Sequence, residues 1–219
     1  MWVYLETWLV QDGSLPWLQR GQRLREVGLV AACWSVGPAS GPDGVVYEEG
    51  LDPDGESSQH CRVTGTVEWS RINRHVGSRM VLRVHDLQVF AEPRFSVQPP
   101  PDFPRGRQPW WRRRKSNTNP MVQHLDLVFP PPHTRVTVHC KLAVCPDYVL
   151  EDLGTDFPDV RGDWLVQQIK IELRERIWHG DWAESGQVAG VENIEQMQWD
   201  DEGDNLNGMY LLDLIPATQ

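Results

Sequence analysis

The chain has 219 residues, 40% of them hydrophobic, with 11 Trp and a formal net charge of −10. That length supports one large or two small domains with a substantial core, and the aromatic content excludes a disordered chain, which lacks the apolar surface to offset the entropy of ordering. No apolar run approaches the ~20 residues that a membrane-spanning helix needs, and the net acidity works against indiscriminate polyanion binding.

The chain opens with Met1-Trp2-Val3-Tyr4-Leu5-Glu6-Thr7-Trp8-Leu9-Val10, without a basic leader or a small-residue cleavage site. It reads as a first β-strand apolar on both faces, and cytoplasmic residence is the default expectation. Gln11-Asp12-Gly13-Ser14 makes a turn, and residues 24–36 read as one or two strands carrying Cys33 and Trp34. The Gly-, Pro- and Ser-rich residues 37–44 are a loop, followed by a short strand at Val45-Val46-Tyr47. The acidic loop at residues 51–56 resembles a calcium loop only superficially. Its glycine comes directly after the second aspartate and no glutamate closes it at the required distance, so it reads as an exposed turn.

A segment from His60-Cys61 to Glu92 is then echoed by one from His139-Cys140 to near Arg174. In the first, Cys61, Val63, Gly65, Val67 and Trp69 share a face opposite Arg62, Thr64, Thr66 and Glu68. In the second, Val136, Val138, Cys140, Leu142 and Val144 alternate with Arg135, Thr137, His139, Lys141 and Ala143. Both read as half-buried strands, because successive side chains of a pleated strand point to opposite faces. Each is followed by a polar loop and a strand whose register slips once: Met80, Leu82, Val84 resume at Leu87, Val89, Ala91, and Trp164, Val166 resume at Ile169, Ile171, Leu173. The matched slips predict a shared β-bulge.

The expected fold is therefore mainly β, with two similar small β-barrel or sandwich halves, OB-like or SH3-like, related by an internal duplication. Val63-Thr64-Gly65-Thr66-Val67 resembles the hairpins of small OB-like barrels. The expected organisation is a first β sub-domain at 1–92, a connection at 93–120, a second β sub-domain at 121–176 and an acidic region at 177–219. No family is identified from these motifs.

Cys33, Cys61, Cys140 and Cys145 read as small buried hydrophobes. A metal alternative rests on His60, Cys61, His139, Cys140 and Cys145, but adjacent His and Cys on a strand face opposite ways. Cys140 and Cys145, five apart, do too unless Pro146 turns the chain, and there is no C-x-x-C spacing. No metal or cofactor is expected.

Charge is uneven. From Ile177 onward there is no Lys or Arg against 9 acidic residues, while the preceding part is nearly neutral. The proline-punctuated connection holds the candidate binding residues Arg105, Arg107, Trp110, Trp111, Arg112, Arg113, Arg114 and Lys115. Guanidinium groups pair with phosphates and indoles stack on unpaired bases, so this segment suits single-stranded nucleic acid. The same chemistry suits an acidic protein face, the chain's own acidic region or an anionic membrane surface.

The loop at 151–163 gathers Glu151, Asp152, Asp156, Asp159 and Asp163 around Phe157-Pro158, which could hold a divalent ion or supply a catalytic pair, though solvating charge on a hairpin connection is commoner. Val191, Ile194 and Met197 carry a weak helical spacing cut off by Asp200-Asp201-Glu202-Gly203-Asp204, and residues 209–215 read as a closing strand. There is no Gly-rich phosphate loop, G-x-S-x-G or H-E-x-x-H. His85-Asp86 is the lone adjacent imidazole and acid in a strand, replaced by Gln167-Gln168 in the second copy. Arg outnumbers Lys 18 to 3, a composition of high-GC bacterial genomes. The expected function is a non-catalytic binding or accessory protein with a protein partner. The alternatives are single-stranded nucleic-acid binding through residues 105–115 and a metal-dependent enzyme using the 151–163 carboxylates.

Overall fold

The structure, a computed structural model, describes residues 1–5, 8–11, 13–49, 59–73, 77–93, 95–96, 123–124, 129–145, 157–178, 183–197 and 209–217. It is mainly β, as the alternation predicts. The elements are β1 (Trp2–Leu5), one helical turn α1 (Trp8–Gln11), β2 (Arg23–Pro38), β3 (Gly44–Glu49), β4 (Gln59–Asn73), β5 (Gly77–Val84), β6 (Leu87–Pro93), β7 (Phe95–Ser96), β8 (Gln123–His124), β9 (Arg135–Cys145), β10 (Gly162–Trp178), β11 (Ala183–Ile194) and β12 (Tyr210–Pro216). Among the described residues no helix is long and apolar enough to cross a membrane.

Strands β7 and β8 pair with each other, and the other ten form one sheet in the order β11-β10-β12-β1-β9-β2-β6-β5-β4-β3. Two further pairings, β9–β4 and β10–β2, make that sheet return on itself twice. From β9 the pairings run through β4, β5, β6 and β2 back to β9, all antiparallel except β6–β2. From β2 they run through β10, β12, β1 and β9 back to β2, all antiparallel except β1–β9. Strands β2 and β9 thus belong to both cycles, and exchanging them carries one pairing pattern onto the other.

The apolar face predicted along β9 enters the core, while Thr137 and Lys141 on its other face are buried too. Val136, Val138, Cys140, Leu142 and Val144 all enter the main core, while Cys145, odd in the sequence of positions, joins a separate small cluster with Val81, Phe90 and Val160. Along β4 the predicted face holds through Cys61, Val63 and Val67, but a register shift between Val67 and Trp69 turns Trp69 to the second cluster. The core is continuous across both cycles, since Val3, Leu29, Val63, Leu82, Val138, Val166 and Leu214 belong to one packed group. Among the described residues the buried polar side chains are Thr64, Thr137, Lys141 and Glu172, and Glu172 is the most deeply buried, 0% exposed. It accepts a hydrogen bond from Tyr4 Oη at 2.9 Å and lies 3.4 Å from the Arg174 guanidinium, which offsets the cost of removing a carboxylate from water.

Several sequence expectations need correction. The slip at His85 is no bulge. Residues 80–91 form two strands, β5 and β6, paired Val84 with Leu87 around a two-residue loop in which His85 has φ 55°. In the second copy the slip is real, because β10 shifts register against β12 between Val166 and Gln168. The first stretch thus folds as a hairpin and the second as one strand, because hydrophobic spacing looks the same across a tight turn and across an inserted residue. The first strand ends at Leu5, and Trp8–Gln11 is helical. Residues 24–36 lie within one 16-residue strand. The helical spacing at Val191, Ile194 and Met197 gives way to strand β11, whose Ile194 and Val191 pair with Ile169 and Glu172 of β10. Tertiary pairing overrides a weak periodic signal there.

Candidate functional site

The two cycles meet in a cavity of about 580 Å³ lined from five separate parts of the chain. Its floor is apolar, from Val45, Val84, Leu87, Val160 and Trp164, and its rim carries His85, Asp86, Arg161 and Asp163. This volume and an apolar floor with few polar groups above it are the usual character of a ligand-holding cleft.

The sequence builds each wall by a local device. Strand β2 carries an extra residue against the start of β10, where Gly162 pairs with Val27 and Trp164 with Leu24. Glu26 takes φ 56° at this bulge, and its amide donates to Asp163 Oδ1 at 3.1 Å while Arg23 Nη2 donates to Asp163 Oδ2 at 2.8 Å. The Glu26 amide first, and the Arg23 guanidinium with it, hold the Asp163 carboxyl below the usual carboxylate range. The neighbouring Trp164 turns inward, 4% exposed, and donates Nε1–H to Val27 O at 2.9 Å. On the opposite wall β3 presents Val45 and Tyr47. Tyr47 donates its hydroxyl to Trp2 O at 2.9 Å, and burial pushes its phenol far above the ordinary value, so it stays neutral. The β5–β6 turn supplies His85 and Asp86. Behind it, Gln88 Nε2 donates to Glu68 Oε2 at 2.6 Å, and Arg83 pairs with Glu68 at 3.1 Å.

A second cluster lies where the two His-Cys dipeptides meet. Strand β4 pairs with β9 so that Cys61 faces Cys140 and Arg62 faces His139. The thiols point into the core, with Cys61 Sγ 3.7 Å from Cys140 Sγ. The histidines turn the other way, around Glu48 of β3. His60 Nε2 lies 3.2 Å and His139 Nδ1 3.7 Å from Glu48 Oε2, and Arg62 Nε lies 2.6 Å from Glu48 Oε1. The Trp34 ring meets His60 edge-on with centroids 5.7 Å apart. The dipeptides are brought together by the register yet divided by the pleat, as adjacent residues on a strand must be. Among the described residues, no group of three or more His, Cys, Asp and Glu is placed to hold a metal ion.

The candidate residues Arg105, Arg107, Trp110, Trp111, Arg112, Arg113, Arg114 and Lys115 lie outside the described residues, as do Glu151, Asp152 and Asp156. The described end of the 151–163 loop serves packing. Phe157 meets Trp69 and Phe90 edge-on at centroid distances of 5.2 and 5.3 Å, Asp159 Oδ1 accepts from the Arg161 amide, and Asp163 is held by β2. Sequence reasoning singled out His85, Asp86 and Asp163 but missed Val45, Tyr47, Leu87, Arg161 and Trp164. No motif joins those positions; only the return of the sheet on itself does. No family model matches the chain, and neither a curated protein nor a solved structure matches it.

Proposed function

We propose that this is a non-catalytic binding protein whose partner is another protein, and that its body is two small β-barrel halves derived from an internal duplication. The duplication is supported by the exchange of β2 and β9 that maps one pairing cycle onto the other, a correspondence different from the echo of side-chain phase. The observation that carries the binding reading is the cavity, where an apolar floor lies beneath a rim of both charge signs. A segment of polypeptide presents the matching chemistry, an apolar side chain for the floor and backbone or charged groups for the rim.

Capture from native lysate tests this. The wild-type chain is expected to retain a defined protein that is lost when Val45→Trp fills the cavity and is weakened when Asp86→Lys inverts one rim charge, both variants unfolding as the wild type does. Capture indifferent to both substitutions, or a hydrolytic or transferase activity abolished by one polar substitution, would overturn it.

The sequence also supports a second reading, single-stranded nucleic-acid binding through residues 105–115. It predicts oligonucleotide affinity that falls steeply with salt and is lost in a Trp110→Ala, Trp111→Ala variant.

A further inference from the structure

Among the described residues the sheet has two outer strands, β3 and β11. Strand β3 is short and its Glu48 is engaged by His60, Arg62 and His139. Strand β11 is different. Strand β10 pairs with β12 as far as Ile171, opposite Tyr210, and one further backbone bond joins the Glu172 amide to Met209 O at 3.0 Å. From there to Trp178 its strand partner among the described residues is β11 alone. Among the described residues, this end of the β10–β11 pair is therefore a two-stranded ribbon. It exposes Trp178 at 59%, Val191 at 43% and Ile177 at 42%. A two-stranded ribbon is marginal by itself in water and gains most from another strand laid against it.

The ladder shows where such a strand fits. Residues 190–194 of β11 pair without interruption against residues 169–173, whereas two register shifts follow toward the hairpin tip. Bulges twist an edge away from unwanted pairing, so the regular length is the part left competent. There Val191 and Glu192 point to opposite faces, as successive residues of a strand do, and both are exposed.

Charge selects the occupant. Strand β11 contains Glu184 and Glu192 and no Lys or Arg, and the chain from Ile177 onward has acidic residues but no Lys or Arg. Pairing β11 with β11 of a second copy about residue 192 sets Glu192 against Glu192, with no Lys or Arg on either β11 strand, and like charges across a strand pair are destabilising. A strand that brings Lys or Arg opposite Glu192 and an apolar residue on the Val191 face satisfies both sides, and the acidic field of the region steers it inward.

Just beyond Ile194 the chain is engaged by residues 18–20, with the Arg20 amide donating to Glu195 O and the Met197 amide to Leu18 O, both at 2.8 Å. We propose that the outer edge of β11 at residues 190–194, which pairs only with β10 among the described residues, accepts an extended segment of a partner protein, alternating basic and apolar residues, as an added strand. This rests on the reading of the molecule as a binding protein and names the chemistry of its partner.

The probe is a short fluorescein-labelled peptide of alternating Lys and Val, followed by fluorescence anisotropy on the full chain. The wild type is expected to bind it. Glu192→Lys and Val191→Lys, both at exposed positions and so expected to leave the unfolding midpoint unchanged, are expected to weaken binding about tenfold through charge reversal and loss of the apolar contact. A peptide with Glu in place of Lys, or with Pro at alternate positions, is expected not to bind. The proposal is overturned if the wild type does not bind the peptide, if the Pro-containing basic peptide binds equally, or if sedimentation shows a wild-type dimer that Val191→Lys dissociates. The Val45→Trp cavity variant is expected to bind the peptide normally, so failure at the edge and failure at the cavity are read separately.

Discussion

Cys61 and Cys140 face each other inside the core with their sulfurs 3.7 Å apart, and Cys33 lies opposite Cys140 on β2. Hydrogen bonding to Cys140 and burial push the Cys61 thiol far up, and burial does the same to Cys140. Because the thiolate is the reactive form, these cysteines should resist a charged alkylating reagent at mildly alkaline pH in the native protein and react at once in denaturant, as read by mass. Rapid native labelling of Cys61 or Cys140 would contradict their placement. That they are buried was legible from the alternation around them; that they meet was not, because register lies between strands and not within one. Asp163 makes the opposite case. Its carboxyl, depressed by the Glu26 amide and Arg23, ionises at lower pH in the folded chain than in the unfolded one, so its stabilising contribution is present above the unfolded value and is lost as pH falls through the folded one. Asp163→Asn should therefore lower the denaturant midpoint at pH 7, with the gap to wild type closing below the ordinary carboxylate range of about 4. A gap that persists in acid would assign the loss to something other than the charge.

The strands bend where small features allow it. Strand β4 pairs with β9 at Gly65 and with β5 from Thr66 onward, and a Cβ added at Gly65 would collide with the Arg83 carbonyl oxygen and press within 2.9 Å of Val84 Cγ2. The backbones of β4 and β5 approach this closely because glycine has no side chain, so the glycine is part of how the first cycle closes. Gly65→Ala should destabilise the protein by about 1–3 kcal/mol, the usual cost of overpacking, measured as a shift in unfolding midpoint. A neutral substitution would mean that β4 and β5 are further apart than described. In the sequence this glycine stood out only as the centre of Val63-Thr64-Gly65-Thr66-Val67, and the close approach of β5 was not legible there. The elements themselves were mostly legible: β9 and the bulge of β10 follow from alternation and its interruption, and β3 and β12 from short apolar runs. The hairpin at His85-Asp86 was not, since its two residues carry neither Asn-Gly nor Gly and the apolar phase resumes beyond it as beyond a bulge. Strand β11 was not either, because an exposed edge strand keeps few apolar residues to set a period of two.

Strands β2 and β9 each serve both pairing cycles, so neither cycle keeps a complete ring of hydrogen bonds if the other opens. Unfolding should therefore be one transition, with Trp emission and far-UV circular dichroism giving the same midpoint. Two separable midpoints would mean that the halves are stable apart. By itself, the sequence determined that the chain is mainly β, which residues of β4 and β9 form the apolar face, and that adjacent His and Cys cannot share a site. These follow from composition and the period of two, which are local. Only the tertiary structure decided that the two His-Cys dipeptides are neighbours, that one sheet returns on itself twice, and that Val45, His85, Arg161 and Trp164 line one cavity. Those facts depend on which strand finds which, a choice made by the joint burial of distant side chains and carried by no single stretch of chain.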